Sequence, residues 1–263
     1  MDITSHFDED KIFSLIHNIY EEFKTFICCL NMPLFSITLS DKNDILGMWN
    51  FDELYNNNYN LFLNANLFSY NSLYIKSILF HEFTHLYDYI NIKYIYHEKD
   101  IIMELMNTYS EYHASQIELL SQMNVKTIKS VSRKIPNKYM IQGKDSCITI
   151  NDYILYPLAN AFDILNSNKE CFVNYNKYEF AEICNKAQKF MIYYFGKLDI
   201  ANKYVQKIIP DVYTINKNIF YKNLNNLHFV LSTSASIKKK YNLIKIYSNK
   251  YERDFYFNFS HNF

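Results

Sequence analysis

One helix-like segment constrains this chain more than any other. Residues Leu73–Ile90 contain no Gly or Pro, and their apolar side chains recur at helical spacing, although the segment also holds His81, Glu82 and His85. Residues four apart lie on one face of a helix, so the two imidazoles point the same way. Polar groups inside an apolar helix need partners, and a metal ion supplies one. The segment therefore predicts a buried helix that carries part of a metal site.

The two histidines and the glutamate form the pattern H-E-x-x-H. A catalytic zinc ion usually takes three protein ligands and leaves its fourth position to water. Glu82 is offset around the helix from His81 and His85, which suits a general base that acts on the zinc-bound water. The pattern predicts Zn2+ as the cofactor and the zinc-bound water as the nucleophile in peptide-bond hydrolysis. The alternative interpretation is a chance pair of helix histidines.

The third ligand must come from further along the chain, where the candidates are His97, Glu98, Glu104, Glu111, His113 and Glu118. Residues 100 to about 123 are predicted to form a second long helix. In that helix Glu111 and His113 lie about 200° apart around the axis, so they cannot both bind one ion. Glu111 lies on a polar stripe with small residues one turn away, whereas His113 lies on the apolar stripe. Glu111 is the predicted ligand and His113 the alternative.

Asp88 follows His85 by three residues and lies on the same helix face. A carboxylate at that place accepts a hydrogen bond from a ligating imidazole and fixes its tautomer. A surface or capping role for Asp88 fits the sequence equally well. Hydrolysis of a peptide also calls for a group that stabilises the oxyanion, and the chain has 25 tyrosines from which to supply it. The candidates near the motif are Tyr87, Tyr89, Tyr109 and Tyr112.

The motif followed by Glu111 resembles the gluzincin arrangement of zinc peptidases. The interval between motif and glutamate is similar to that of the ImmA/IrrE family of metallopeptidases, in which a Glu in an E-A-type helix segment completes the site. This chain has the sequence E-Y-H-A at that point. The resemblance implies an intracellular zinc peptidase, and it also allows a regulatory protein that acts on a single target.

A second resemblance is to SprT-like proteases. It is carried by the run Leu46–Phe51, the strand-like segment Tyr59–Leu63 and the motif itself. Those proteases use a third histidine, which would favour His113. In the zincin fold, an edge strand just upstream of the motif helix binds the substrate backbone as an added strand, and Tyr59–Leu63 is the predicted edge strand.

The predicted fold class is α+β: a zincin-like core in which a small mixed sheet packs on the motif helix, with a mainly helical C-terminal part. Ahead of the motif helix we predict one helix and three strands, at residues 11–30, 35–39, 45–51 and 59–63. Further helices are predicted at residues 151–165 and 178–197. Residues 1–125 would form the metallopeptidase core and residues 126–263 the helical region packed on it.

Charge is distributed unevenly between these two parts. Residues 1–125 contain 6 basic and 17 acidic side chains, and the rest of the chain contains 21 basic and 10 acidic ones. The imbalance favours attraction between the two parts across an internal interface. The alternative is a basic surface for nucleic acid, which the spread of the lysines does not favour.

Composition predicts a cytoplasmic protein. The five cysteines are odd in number and form no C-x-x-C pair, as expected of reduced, buried residues. No signal peptide or membrane-length apolar run is apparent. The expected partner is a peptide or protein substrate, with no membrane. The rival hypothesis is a partner-gated regulatory or binding module that keeps the zincin frame without general proteolysis.

Overall fold

The computed structural model describes residues 8–40, 46–127, 135–136, 138–167 and 177–206. Within them the chain is mixed α+β and mostly helical, with small sheets. The helices are α1 (Glu9–Phe26), α2 (Phe51–Tyr55), α3 (Ser72–Ile95), α4 (Lys99–Leu105), α5 (Glu111–Gln122), α6 (Ile150–Ser167) and α7 (Lys177–Tyr204). The strands are β1 (Ser36–Ser40), β2 (Gly47–Trp49), β3 (Asn60–Asn64), β4 (Met140–Gln142) and β5 (Cys147–Thr149). None of the described helices is both long and apolar enough to cross a membrane.

The motif helix α3 is buried over most of its length, as predicted. Asn71 caps its N-terminus by accepting a hydrogen bond from the Leu73 N–H at 2.8 Å. The helix continues to Ile95, five residues beyond the predicted end, because Gly and Pro are absent there as well. Because most of the helix is buried, its motif histidines lie inside the protein.

Helix α1 packs against α3 through aromatic side chains. The ring centroid of Phe23 lies 5.3 Å from that of Phe80 and 5.6 Å from that of Phe83, and all three side chains are buried. Each aromatic pair of this kind contributes about 0.5–1.5 kcal/mol beyond the burial of its apolar surface. This cluster fixes the motif helix on the side away from the histidines.

The three-stranded sheet has the order β1-β3-β2, with β1 parallel and β2 antiparallel to β3. The prediction that Tyr59–Leu63 forms the edge strand is therefore wrong, since β3 pairs on both sides and has no edge to offer. In the described part of the chain the short strand β2 is an edge strand. It stops at Trp49 because Asn50 caps α2, accepting hydrogen bonds from the N–H groups of Asp52 and Glu53.

The second predicted long helix is divided by a π-helical segment, Met106–Ser110, which joins α4 to α5. A π turn contains more residues than an α turn, so a stripe read at 3.6-residue spacing does not continue through it. Glu104 on α4 is exposed, whereas Glu111 and Glu118 on α5 are buried. The predicted polar stripe is thus an interior face of α5.

The described C-terminal residues form the hairpin β4–β5 and the helices α6 and α7, and α7 packs on both α5 and α6. A Cβ atom at Gly196 would collide with the Ser115 Oγ and the Tyr112 carbonyl of α5, so the backbones of α5 and α7 approach closely there. The division of the chain at residue 125 stays a prediction.

Cys147 is exposed, which corrects the expectation of uniformly buried cysteines.

We expect Gly196→Ala to destabilise the protein although Ala is the better helix former. The added methyl group overpacks the contact with α5, and overpacking typically costs about 1–3 kcal/mol. Urea unfolding measures the change. The matched control is Asn185→Ala at an exposed position of the same helix. A Gly196→Ala protein as stable as this control would contradict the close approach.

Candidate metal centre

Three side chains from two helices converge at the centre of the described structure. His81 Nε2 and His85 Nε2 on α3 lie 3.6 Å and 3.5 Å from the same oxygen, Oε2 of Glu111 on α5. Among the described residues, these three are the group of His, Cys, Asp and Glu side chains spaced to hold a metal ion, with one ligand atom from each within 4.8 Å of the others. The helix spacing supplies the two imidazoles, and the α3–α5 contact supplies the carboxylate.

The outward-facing nitrogen of each histidine has its own partner. His81 Nδ1 lies 3.0 Å from Glu118 Oε2, and His85 Nδ1 lies 2.8 Å from Ser110 Oγ. Because Nδ1 of each histidine contacts one of these oxygens, Nε2 is the ring nitrogen that faces Glu111. Metal-binding histidines are oriented in this way by an outer carboxylate, hydroxyl or carbonyl group.

The two oxygens of Glu111 have different surroundings. Oε1 forms an ion pair with Lys189 Nζ of α7, at a distance of 2.8 Å. Oε2, the oxygen that faces both imidazoles, is buried and has no hydrogen-bond partner. A buried carboxylate oxygen without a donor is costly. A metal ion between Glu111, His81 and His85 would satisfy it, so the donor set fits a metal.

The acidic neighbours make this point of the protein favourable for positive charge. Burial alone would lower the pKa of His81, but the Glu111 and Glu118 carboxylates raise it to about 10. Burial likewise opposes ionisation of Glu111, yet the neighbouring histidines hold its pKa well below the ordinary value. Lys197 and His81 hold the pKa of Glu118 low against the same effect of burial. The same field favours a cation held between the three ligands.

Strand β2 holds Glu82 in place beside the ligands. The Trp49 indole N–H donates to the Glu82 carbonyl oxygen at 2.8 Å. A Cβ atom at position 47 would lie 2.8 Å from Cγ of Glu82, so Gly47 leaves the room that this side chain occupies. Burial raises the pKa of Glu82, and a carboxyl group with a raised pKa is suited to proton transfer near neutrality.

Helix α7 contributes side chains that no sequence motif identified. The Tyr193 ring packs edge-on against His81, with ring centroids 5.6 Å apart, and its hydroxyl interacts with the Glu111 carboxylate. Burial and that carboxylate raise the pKa of Tyr193 well above 10, so its hydroxyl stays protonated. The predicted tyrosines lay on α3 and near α5. Only the α5–α7 contact brings a tyrosine from over 80 residues downstream to this place.

Glu118, another candidate ligand in the sequence, contacts the outward-facing nitrogen of His81 instead of facing the metal position. Its Oε2 contacts His81, while Oε1 accepts from Lys197 Nζ at 2.9 Å and from the Tyr153 hydroxyl. The other discarded candidates lie at exposed positions on or near α4, namely His97, Glu98 and Glu104.

Asp88 and His113 pair with each other. Asp88 Oδ1 lies 2.8 Å from His113 Nδ1, and Asp88 is fully buried. The expectation that Asp88 orients a ligating motif histidine is wrong, because the outer nitrogen of His85 contacts Ser110 and that of His81 contacts Glu118. His113 is not part of the candidate metal-binding group, because it lies on the opposite side of α5 from Glu111.

The three ligands open onto a cleft of about 690 Å³ between β2, α6 and α7. Its floor is formed by the ligands with Glu82, and its walls include Met48, Trp49, Tyr156, Lys186, Phe190 and Tyr193. A cleft of this volume accommodates several residues of an extended peptide. Comparisons with protein-family models, curated proteins and solved structures gave no match.

We expect Glu111→Ala to lose nearly all bound metal, because two histidines alone form a weak and labile site. His113→Ala, a matched change two residues away, should retain the metal and lose only stability. Metal analysis of the purified variants, together with competition against a chelator, distinguishes the two. If His113→Ala loses the metal and Glu111→Ala retains it, His113 is the third ligand and Glu111 is not.

Proposed function

We propose that this protein is a zinc-dependent metallopeptidase of the zincin type, with a gluzincin-like set of ligands. The observation that carries the proposal is the convergence of His81 Nε2, His85 Nε2 and the unpartnered Oε2 of Glu111. Two histidines and one glutamate, with a fourth position open to water, are the ligands typical of catalytic zinc in peptidases. Glu82 beside them, at the floor of a peptide-sized cleft, supports hydrolysis rather than a structural zinc site.

A bound zinc ion would polarise both a water molecule and the substrate carbonyl group. The role proposed for the Glu82 carboxylate is that of general base: it would accept a proton from that water as the water oxygen bonded to the carbonyl carbon. Glu82 would then give the proton to the peptide nitrogen, and the carbon–nitrogen bond would break to leave a carboxylic acid and an amine. Two features support this role: Glu82 is buried in the cleft floor, and the Trp49 indole N–H of β2 donates to its backbone carbonyl oxygen.

The position and pKa of Tyr193 support a role in stabilising the charge that would develop on the carbonyl oxygen. It lines the cleft next to His81 and Glu111, and its high pKa keeps the hydroxyl as a hydrogen-bond donor. Donors that meet developing negative charge in a water-poor site make large contributions to the rate. We assign Tyr193 this role.

We expect Glu82→Gln to retain zinc and lose peptide hydrolysis, because glutamine keeps the shape of the side chain but cannot accept the proton. The measurements are zinc per chain by mass spectrometry and cleavage of a peptide library by the zinc-loaded protein. Wild-type protein that has never met a chelator should contain close to one zinc per chain. Protein without zinc would contradict the proposal.

The rival function, a regulatory or binding module on the same frame, gives a different result with the same variant. If Glu82→Gln keeps both its zinc and full cellular activity, hydrolysis is not the function.

We expect Tyr193→Phe to lower kcat by about 10²–10³ with zinc content unchanged, since one oxyanion donor is removed. Tyr94→Phe, at a position of α3 that is 85% exposed, is the matched control and should behave as wild type. An unchanged kcat in Tyr193→Phe would remove this residue from the reaction.

A further inference from the structure

We propose that the cleft selects peptides with an acidic side chain next to the scissile bond, and that Lys186 of α7 recognises this side chain. The inference rests on the proposed peptidase function and adds to it the chemical class of substrate. It follows from the charge of the cleft, from the face that α7 presents to it, and from the difference between its two walls.

Without a metal ion, the positive and negative charges of the lysines and glutamates that line the cleft are equal in number. Its lysines and glutamates are three of each: Lys186, Lys189, Lys197, Glu82, Glu111 and Glu118. A divalent cation held by neutral histidines therefore gives the cleft lining a net charge of about +2, or about +1 when Glu182, the ion-pair partner of Lys186, is included. A cleft of one sign enclosed by low-dielectric walls attracts ligands of the opposite sign.

The three lysines are not equally available to a substrate. The Lys197 side chain is only 7% exposed and is committed to Glu118. The Lys189 side chain is 55% exposed, but its ammonium group is paired with the Oε1 atom of Glu111, a buried candidate metal ligand. Lys186, one turn before Lys189 on the same face of α7, has a side chain that is 64% exposed, and its ion pair is with Glu182 on the helix surface. Exposed pairs of this kind are weak, so a substrate carboxylate can replace Glu182.

The part of the cleft formed by β2 and α2 carries no charged side chain. Strand β2 and the start of α2 line it with Met48, Trp49 and Phe51. An extended peptide that crosses the candidate ligands would place apolar side chains against this wall and an acidic side chain against Lys186 of α7, the helix that also lines the cleft with Phe190 and Tyr193. The two walls together fit a sequence in which an apolar residue and an acidic residue flank the bond.

The test uses two amidated, N-acetylated peptide mixtures that differ at one position. One contains Leu-Glu and the other Leu-Gln between randomised residues from which Asp and Glu are omitted, and a second pair has the order reversed. Binding is measured by fluorescence anisotropy on zinc-loaded Glu82→Gln protein, which should not consume the peptide. In one order at least, the Glu mixture should bind about fivefold more tightly than the Gln mixture, as expected for one partly screened charge pair.

The Lys186→Glu change, made in the same background, should abolish or reverse this preference and leave the zinc content unchanged. Lys203→Glu, the same charge reversal at an exposed position of α7 outside the cleft, should preserve the preference. Equal binding of the Glu and Gln mixtures, or a preference that survives Lys186→Glu, would overturn the assignment.

Hydrolysis of the same mixtures by the wild-type zinc protein separates this inference from the proposed function. Cleavage without a preference for Glu overturns the specificity and leaves the peptidase. Selective binding of the Glu mixture without cleavage supports the specificity and overturns the peptidase. If no mixture is either bound or cleaved, both are overturned.

Discussion

The buried carboxylate of Glu118 is the point at which four helices meet. It lies on α5 and receives contacts from His81 on α3, Tyr153 on α6 and Lys197 on α7. A carboxylate removed from water requires such partners, and removing one member of a buried ion pair typically costs about 3–5 kcal/mol. Because this buried charge needs partners, it holds α6 and α7 against α3 and α5, the helices that carry the candidate metal ligands.

The candidate metal centre depends on this arrangement. Each of its three ligands has a separate partner that contacts its other polar atom, the histidine Nδ1 or the Glu111 Oε1. The partners are Glu118 for His81, Ser110 for His85 and Lys189 for Glu111. Two of these partners come from α5 or the turn before it, and one comes from α7. A ligand with one fixed orientation loses little conformational freedom when it binds an ion, which favours affinity. The ion pairs from α7 are also contacts of the kind that the uneven charge of the two parts led us to expect.

The pattern of the sequence predicted α3 and its two histidines because both depend on local spacing. An uninterrupted helix places residues four apart on one face whatever surrounds it. Glu111 was also selected by helical geometry, through its polar stripe and its separation from His113. The same reasoning located the three strands but misjudged the pairing of the third one. Residues 59–63 have the composition of any strand, and nothing in them shows which neighbours the strand will pair with.

The sequence by itself was enough to predict the three candidate metal ligands, which are the two histidines of the H-E-x-x-H helix and Glu111, and an α+β arrangement of elements. The tertiary structure alone decided which groups complete the site. It placed the β2 edge over Glu82, turned the polar stripe of α5 inward and brought Lys186, Lys189, Tyr193 and Lys197 of α7 to the cleft. These contacts join residues that lie from about 35 to about 80 positions apart or more, and they depend on burial and charge pairing, which a local sequence pattern does not show.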